Sequence, residues 1–275
     1  MKGKDIIYDI FFRADRLRAE AALRDAKKRA TEAERIVKTE QELRKLGIEP
    51  DRVVTEEEVR QARLDIKYVN GHQNIAVVGS QNEGKSTLVN CLRGLDHNGA
   101  NSAMVGETES TTRSMPYMDE KHPGFVWHDV PGAGTYNFSA WGYYYNQNLF
   151  AYDKILLVHS STLRQLDLKI LEICKYRNQK CIVARTKADQ HIRNCKRHSR
   201  HPTLEAARAD YIEQVRRDTA AKNASIDVEE FRPDYTDHII LEMGITQLIT
   251  GSPPSSWTCE QVIDERALLQ ELGLL

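Results

Sequence analysis

The order of hydrophobic and polar positions divides the chain into two parts. In residues 1 to about 47, small or apolar residues recur in a 4-3-4-3-4 spacing, at Ala19, Leu23, Ala26, Ala30, Ala33 and Val37. This heptad-like pattern predicts one long, alanine-rich helix that ends at Gly47 and Pro50. Such a helix cannot bury its apolar stripe alone, so we expect it to pack on the rest of the chain, on a second copy or on a partner. A solvated single helix held by charge pairs is the alternative.

A second helix is predicted directly after the first. Thr55 and Glu58 form a capping box ahead of the apolar positions Val59 and Ala62. Asn70-Gly71 then interrupts the helical pattern. We therefore divide the chain into an N-terminal helical region, residues 1–70, and a main domain, residues 71–275.

From residue 74 onward, short apolar runs alternate with helical patterns, which predicts an α/β fold with a mostly parallel sheet covered by helices. The predicted strands are Asn74–Gly79, Phe125–Asp129, Lys154–His159, Cys181–Arg185 and Ile245–Thr250. The predicted helices are Lys85–Leu95, Leu166–Tyr176, Leu204–Ala221 and Ile263–Leu272. Ligands on such sheets bind at the carboxyl ends of the strands, and the motifs below all fall at those ends.

Composition narrows the class of protein further. The 275 residues are 40% hydrophobic and 29% charged, which fits one large domain with an appendage. The net charge of -1 offers no overall surface for nucleic acid. A basic run from His191 to His201 is predicted to be a solvated loop, with contact to an anionic membrane or a phosphate as the alternative. Five cysteines without CxxC spacing, no signal peptide and no long apolar run favour a cytoplasmic protein.

The segment Gly79-Ser80-Gln81-Asn82-Glu83-Gly84-Lys85-Ser86 matches a phosphate-binding P-loop and lies between an apolar strand and a helix, as that motif requires. Backbone N–H groups of such a loop converge on phosphate oxygens at a helix N-terminus. Lys85 is predicted to reach the β- and γ-phosphates, and Ser86 to hold Mg²⁺. The predicted nucleotide contacts here are Gly79, Gln81, Asn82, Glu83, Gly84, Lys85, Ser86 and Thr87.

Two further segments complete the predicted phosphate and metal site. A threonine-rich loop supplies Thr111, with Thr112 and Thr108 as alternatives, to complete the Mg²⁺ shell and sense the γ-phosphate. Asp129-Val130-Pro131-Gly132 follows a strand, so Asp129 is predicted to support Mg²⁺ and Gly132 to meet the γ-phosphate through its N–H.

Thr186-Lys187-Ala188-Asp189 follows the strand predicted at Cys181–Arg185 and is the candidate base-binding loop. Asp189 can accept two hydrogen bonds from the guanine ring N–H and the exocyclic amino group, a donor pattern that adenine lacks. The stem of Lys187 can lie over the base, and Thr186 stands where most GTPases have asparagine. After the last predicted strand, backbone groups of Gly251 and Ser252 are expected to contact the base.

The segments GSQNEGKS, EST, DVPG and TKAD together resemble the immunity-related, interferon-inducible GTPases. Pro116-Tyr117, His122-Pro123 and Phe150-Ala151-Tyr152-Asp153 also fit that family, over about residues 55 to 275. The resemblance implies a Ras-like fold with extra helices, hydrolysis of GTP to GDP, GTP-dependent dimerisation and frequent peripheral action at membranes. Such proteins usually continue into a C-terminal helical domain, whereas this chain stops at Leu275, so we expect a minimal or truncated version or a compensating role for the N-terminal helix.

The predicted reaction is attack of water on the γ-phosphate, with Lys85, Thr111 and Gly132 as the catalytic groups. Ala133 follows Gly132 and cannot orient a water molecule, and Glu83 and Arg113 are only nearby polar candidates. Turnover is therefore predicted to be slow and to rise when copies associate. The alternative is a nucleotide-bound scaffold with negligible hydrolysis that recruits partners through its N-terminal helix. A P-loop kinase or ATPase is disfavoured by Asp189, and an RNA-associated GTPase by the near-neutral charge.

Overall fold

The computed structural model describes residues 23–31, 41, 44, 52–96, 99, 101–104, 114–132, 139–198, 201–224, 232–251 and 262–275. The chain forms two compact units, Met1–Arg52 and Val53–Leu275. In the first unit, residues 23–31 are helical and exposed, as predicted for part of the long helix, and most of the rest of that prediction lies outside the described residues. The division at Asn70-Gly71 stays a prediction, and by its contacts the second helix belongs to the unit that begins at Val53.

The second unit is an α/β structure around a six-stranded sheet of order β2-β3-β1-β4-β5-β6. The strands are β1 (Gln73–Val78), β2 (Met115–Met118), β3 (Phe125–Asp129), β4 (Lys154–His159), β5 (Lys180–Arg185) and β6 (Asp237–Ile239). The helices are α1 (Glu56–Asp65), α2 (Lys85–Leu92), α3 (Ala140–Asn146), α4 (Gln165–Tyr176), α5 (Ala188–His198), α6 (Leu204–Ala224), α7 (Glu242–Thr250) and α8 (Glu265–Leu272). The edge strand β2 is antiparallel to β3, and every other neighbouring pair of strands is parallel.

The sheet is buried on both faces, which explains the continuous apolar runs of its central strands. Four successive residues of β1, from Ile75 to Val78, have no exposed surface. Among the described residues, one core cluster joins β1, β3, β4 and β5 to the helices α2, α7 and α8, and a second cluster lies between α5, α6 and β6. The parallel register aligns the carboxyl ends of the central strands, since Val77 pairs with Asp129 and His159 pairs with Arg185.

Several sequence predictions are confirmed. The bounds of β3 and β4 are those predicted, β1 begins and ends one residue earlier than predicted, and β5 begins one residue earlier. The capping box of α1 is present, because Thr55 accepts a hydrogen bond from the Glu58 N–H while the Glu58 carboxylate accepts one from the Thr55 N–H.

Several sequence predictions of secondary structure are wrong. The strand expected at Ile245–Thr250 is part of the helix α7. The basic run expected as a loop from His191 is helical as far as His198, because Ala188 and Ile192 anchor α5 in the second core cluster. The helix α2 ends at Leu92, with Arg93 as its C-cap, instead of continuing to Leu95. Among the helices of the described ranges, none combines the length and apolar character that a membrane span requires.

Candidate functional site

The phosphate loop connects β1 to α2 and has the backbone conformation that its glycines permit. Gly84 is the left-handed N-cap of α2, with φ of 85°, and Asn82 is also left-handed, with φ of 61°. The Lys85 side chain is buried and its Nζ donates to the Ser80 carbonyl oxygen over 2.8 Å. Burial lowers the pKa of Lys85, although the charges of Asp129 and Glu83 oppose that shift. The loop therefore holds a buried cation at the N-terminus of a helix, where anions bind.

Ser86 and Asp129 form an oxygen-donor pair beside this loop. The Ser86 hydroxyl donates to Asp129 Oδ2 over 2.6 Å. The Val130 N–H donates to the Val77 carbonyl oxygen, so the end of β3 is held against the end of β1. Within the described ranges, no group of three or more His, Cys, Asp or Glu side chains could hold a metal ion. One carboxylate and one hydroxyl fit Mg²⁺, which usually takes its other ligands from phosphates and water.

Gly132 lies against the phosphate loop; its contact with the γ-phosphate stays a prediction. A Cβ atom at Gly132 would lie 3.0 Å from the Gln81 nitrogen and 3.2 Å from Lys85 Nζ. The neighbouring Pro131 carbonyl oxygen accepts a hydrogen bond from the Tyr143 hydroxyl, at 2.9 Å. A side chain at this position would therefore require the phosphate loop to shift by a few tenths of an ångström.

The base loop after β5 is tied to the phosphate loop by two hydrogen bonds. The buried Thr186 hydroxyl donates to the Glu83 carbonyl oxygen over 2.7 Å, and Lys187 Nζ donates to the Asn82 carbonyl oxygen over 2.5 Å. Thr186 thus performs a tethering role at the position where asparagine is more usual. Asp189 lies in the first turn of α5, and its Oδ2 accepts a hydrogen bond from Arg193 over 2.8 Å.

Glu242, at the start of α7, is a member of the site that the sequence analysis missed. A Cβ atom on Gly84 would lie 3.3 Å from Glu242 Oε1 and 3.4 Å from Thr186 Oγ1. Burial raises the pKa of Glu242, the charge of Asp189 raises it further, and the charge of Lys187 opposes the shift. The signal that would have identified it is the strand β6 immediately before it, which was not predicted.

The structure overturns one predicted base contact. Helices α2 and α7 run side by side in the same direction, since Glu242 lies beside Gly84 and Ile249 lies beside Gly94. Gly251 follows the far end of α7 and is therefore remote from the phosphate loop. The prediction failed because it assumed a strand ending at Thr250.

Both oxygens of the Glu83 carboxylate are engaged by hydrogen bonds within the protein. Its buried carboxylate accepts hydrogen bonds from the Ser160 N–H, at 2.6 Å, and from the Arg164 guanidinium, at 2.9 Å. Both carboxylate oxygens are thus directed toward the segment after β4. Thr87 lies in the first turn of α2, as the loop motif requires. The remaining predicted positions lie outside the described residues, namely Thr108, Thr111, Thr112, Arg113, Ala133 and Ser252.

A mostly parallel sheet with an antiparallel edge strand, a P-loop between β1 and α2, and a Thr-Lys-x-Asp loop after β5 define a P-loop protein of the GTPase class. The family model described as Interferon-inducible GTPase (IIGP) matches residues 35–226. The chain belongs to this family, which confirms the resemblance drawn from its motifs.

Two proteins of the mouse are similar to part of this chain. The chain is 32% identical over 174 residues to Interferon-gamma-inducible GTPase 10 of Mus musculus, a match that covers 62% of this chain and 42% of the relative. It is 31% identical over 121 residues to T-cell-specific guanine nucleotide triphosphate-binding protein 2 of Mus musculus, covering 44% of this chain and 29% of the relative. The match therefore spans less than half the length of each of these relatives.

Two solved structures illustrate more distant similarity. The Era protein of Aquifex aeolicus bound to GDP·AlF4⁻ is 18% identical, with a TM-score of 0.38, and the match covers 70% of this chain and 61% of that one. NFeoB from S. thermophilus bound to GDP·AlF4⁻ and K⁺ is 21% identical, with a TM-score of 0.32, and the match covers 42% of this chain and 45% of that one.

Proposed function

We propose that this chain binds GTP and hydrolyses it slowly to GDP and phosphate as a Mg²⁺-dependent switch, and that turnover rises when copies associate. The observation that carries the proposal is the convergence, at one edge of the sheet, of the phosphate loop, the Ser86–Asp129 pair and the tethered base loop. Family membership supports the same activity.

The residues of the site have separate roles in this reaction. Lys85 and the N–H groups of the phosphate loop bind the phosphates and offset charge that develops during transfer. Ser86 and Asp129 would hold Mg²⁺, with Thr111 as the further ligand that the sequence suggests. When bound, Mg²⁺ neutralises charge on the phosphate oxygens. Gly132 brings a backbone N–H to the γ-phosphate side of the loop.

Replacement of Asp189 by asparagine should change the base preference from guanine to xanthine. The carboxylate can accept hydrogen bonds from the ring N–H and the amino group of guanine, whereas an amide presents one acceptor and one donor. The donor suits xanthine, which carries a carbonyl group in place of the guanine amino group. We expect the affinity for GTP to fall by roughly a hundredfold, since two hydrogen bonds to a charged group are involved, and the affinity for XTP to rise. Affinities measured by calorimetry with Mg²⁺ test this expectation.

The control for this exchange is Asp65→Asn, the same substitution at the end of α1, outside the site. It should leave all three affinities for GTP, XTP and ATP unchanged. If Asp189→Asn retained its preference for GTP, or if ATP competed equally with GTP on the wild type, the assignment of the base loop would be wrong.

We infer self-association because the sequence offers no clear residue to position the attacking water. Glu83 is committed to Ser160 and Arg164, and Ala133 in the sequence offers only a methyl group. A second copy would supply the missing group, as arginine fingers do in trans. Cytoplasmic location and peripheral contact with a membrane stay predictions.

Turnover per chain should increase with protein concentration, by more than about tenfold once the chain associates, because a group supplied in trans can accelerate phosphoryl transfer by orders of magnitude. Phosphate release measured across a wide range of protein concentrations, with light scattering in parallel, tests this. A constant turnover per chain would contradict self-activation. Negligible turnover with intact GTP binding would favour the scaffold that recruits partners through its N-terminal helix.

A further inference from the structure

The peptide unit between Pro131 and Gly132 joins the candidate site to α3. Its carbonyl oxygen accepts the hydrogen bond from the Tyr143 hydroxyl, at 2.9 Å. Its N–H belongs to Gly132, where a Cβ atom would lie 3.0 Å from the Gln81 nitrogen and 3.2 Å from Lys85 Nζ of the phosphate loop. In a trans peptide plane the carbonyl and N–H groups point in opposite directions. The bond from Tyr143 therefore fixes the direction of the Gly132 N–H, away from α3.

Tyr143 is held firmly enough to act as such an anchor. Its side chain is buried, and α3 begins at the N-cap Ser139, whose hydroxyl accepts the Gly142 N–H over 3.0 Å. The adjacent rings of Trp141 and Tyr145 pack edge to face with centroids 4.8 Å apart. Burial raises the pKa of the Tyr143 phenol far above its ordinary value, so the hydroxyl remains a donor at any working pH.

We propose that Tyr143 is a positioning residue that holds the Pro131–Gly132 peptide with its N–H toward the γ-phosphate and thereby sets the preference for GTP over GDP. This inference rests on the proposed function. Without the hydroxyl, no other hydrogen bond among the described residues would hold the Pro131 carbonyl oxygen on the side of α3. A rotated peptide would remove a donor from the γ-phosphate and would turn a carbonyl oxygen toward it, which is repulsive. GDP lacks that phosphate, so its affinity should not depend on Tyr143.

The test is Tyr143→Phe, which removes one oxygen atom and keeps the buried ring. We expect the affinity for a non-hydrolysable GTP analogue with Mg²⁺ to fall by roughly tenfold, the effect of one hydrogen bond to a charged group. The affinity for GDP should stay unchanged. Turnover at saturating GTP should fall as well, because the misplaced N–H no longer stabilises the transferring phosphoryl group.

Tyr144→Phe is the matched control on the same helix. The Tyr144 hydroxyl donates to Gln179 Oε1 over 2.5 Å, toward the segment between α4 and β5. Tyr144→Phe therefore removes a buried phenol hydroxyl from the same helix and leaves the hydrogen bond to the Pro131 carbonyl oxygen in place. Any change it causes reflects stability alone. We expect Tyr144→Phe to leave the ratio of the two affinities at the wild-type value.

The outcomes separate the inference from the function on which it rests. Equal losses for GDP and the analogue in Tyr143→Phe would indicate a merely structural role and would overturn the inference, as would two unchanged affinities. A wild type that binds no guanine nucleotide would instead overturn the proposed function. If Tyr143→Phe does not fold, hydrogen exchange of the Gly132 amide in the wild type decides. Slower exchange with the analogue than with GDP supports the inference, and equal exchange overturns it.

Discussion

Replacing Lys85 with methionine is expected to lower the affinity for GTP by at least about a hundredfold while leaving the fold intact. The ammonium group makes charge-assisted hydrogen bonds to phosphates in this class of site, and bonds to charged groups contribute about 1.5–3 kcal/mol each. The same substitution should not lower the stability of the nucleotide-free protein. Burial lowers the pKa of Lys85, so the charged amine is poorly accommodated in the nucleotide-free protein, and an apolar chain of similar length removes that cost.

Thermal unfolding with and without GTP measures both effects at once. A ligand at about 100 times its dissociation constant stabilises the folded state by about 2.7 kcal/mol, so GTP should raise the Tm of the wild type and leave that of Lys85→Met unchanged. Lys169→Met, which removes an amine that contacts Glu172 on α4, should keep the full GTP response. A Lys85→Met variant that is strongly destabilised without ligand, or that still responds to GTP, would contradict the assigned role.

Gly79→Ala should destabilise the protein by at least about 3 kcal/mol, in the range reserved for severe steric conflicts. A Cβ atom at this position would lie 2.0 Å from the Val158 carbonyl oxygen, which is part of the central strand β4. The residue also has a φ of 146°, a conformation that L-residues rarely adopt. Neither β4 nor the loop can move without breaking the sheet register, so the midpoint of urea denaturation should fall sharply.

Gly71→Ala separates the clash from the backbone strain. Gly71 also has a positive φ, of 77°, but a Cβ atom there would meet nothing within 4 Å. This control should lose only about 1–2 kcal/mol, the cost of a left-handed conformation. Similar losses in both variants would show that contact with Val158 is not what requires glycine at position 79.

The central strands could be predicted from the sequence because both of their faces are buried. Such strands appear as continuous apolar runs, and β3 and β4 were placed at their observed bounds. The edge strand β2 was missed because it is short and contains Pro116, which weakens a strand pattern. The edge strand β6 was missed because its buried residues Asp237 and His238 are polar.

The burial of Asp237 depends on partners that are distant in sequence. His159 contacts one carboxylate oxygen, and the Arg185 guanidinium donates two hydrogen bonds to the other. Burial alone would raise the pKa of Asp237, but the hydrogen bond from His159 and the charges of His159 and Arg185 hold it well below its usual range. A pattern along the chain cannot reveal this compensation, because it exists only after β4, β5 and β6 are adjacent.

The error at α7 has a different cause. Its β-branched residues favoured a strand, yet Ile245, Leu248 and Ile249 pack on the core at helical spacing. Because the helix replaced the strand, the predicted base contact at Gly251 was wrong and Glu242 was overlooked. The phosphate-loop residues were predictable since one local motif contains them. Tyr143 and Glu242 reach the site only through the packing of α3 and α7, and no local motif marks them.

The two hydrogen bonds from Thr186 and Lys187 to the phosphate loop have a consequence for nucleotide exchange. These bonds do not depend on a bound nucleotide. They join the base loop directly to the phosphate loop at the carbonyl oxygens of Glu83 and Asn82. Displacing either loop therefore displaces the other, and a bound nucleotide would lose its base and phosphate contacts together. Release would then be concerted and slow, and a factor that acted on the exposed end of α5 would accelerate it without touching the phosphates.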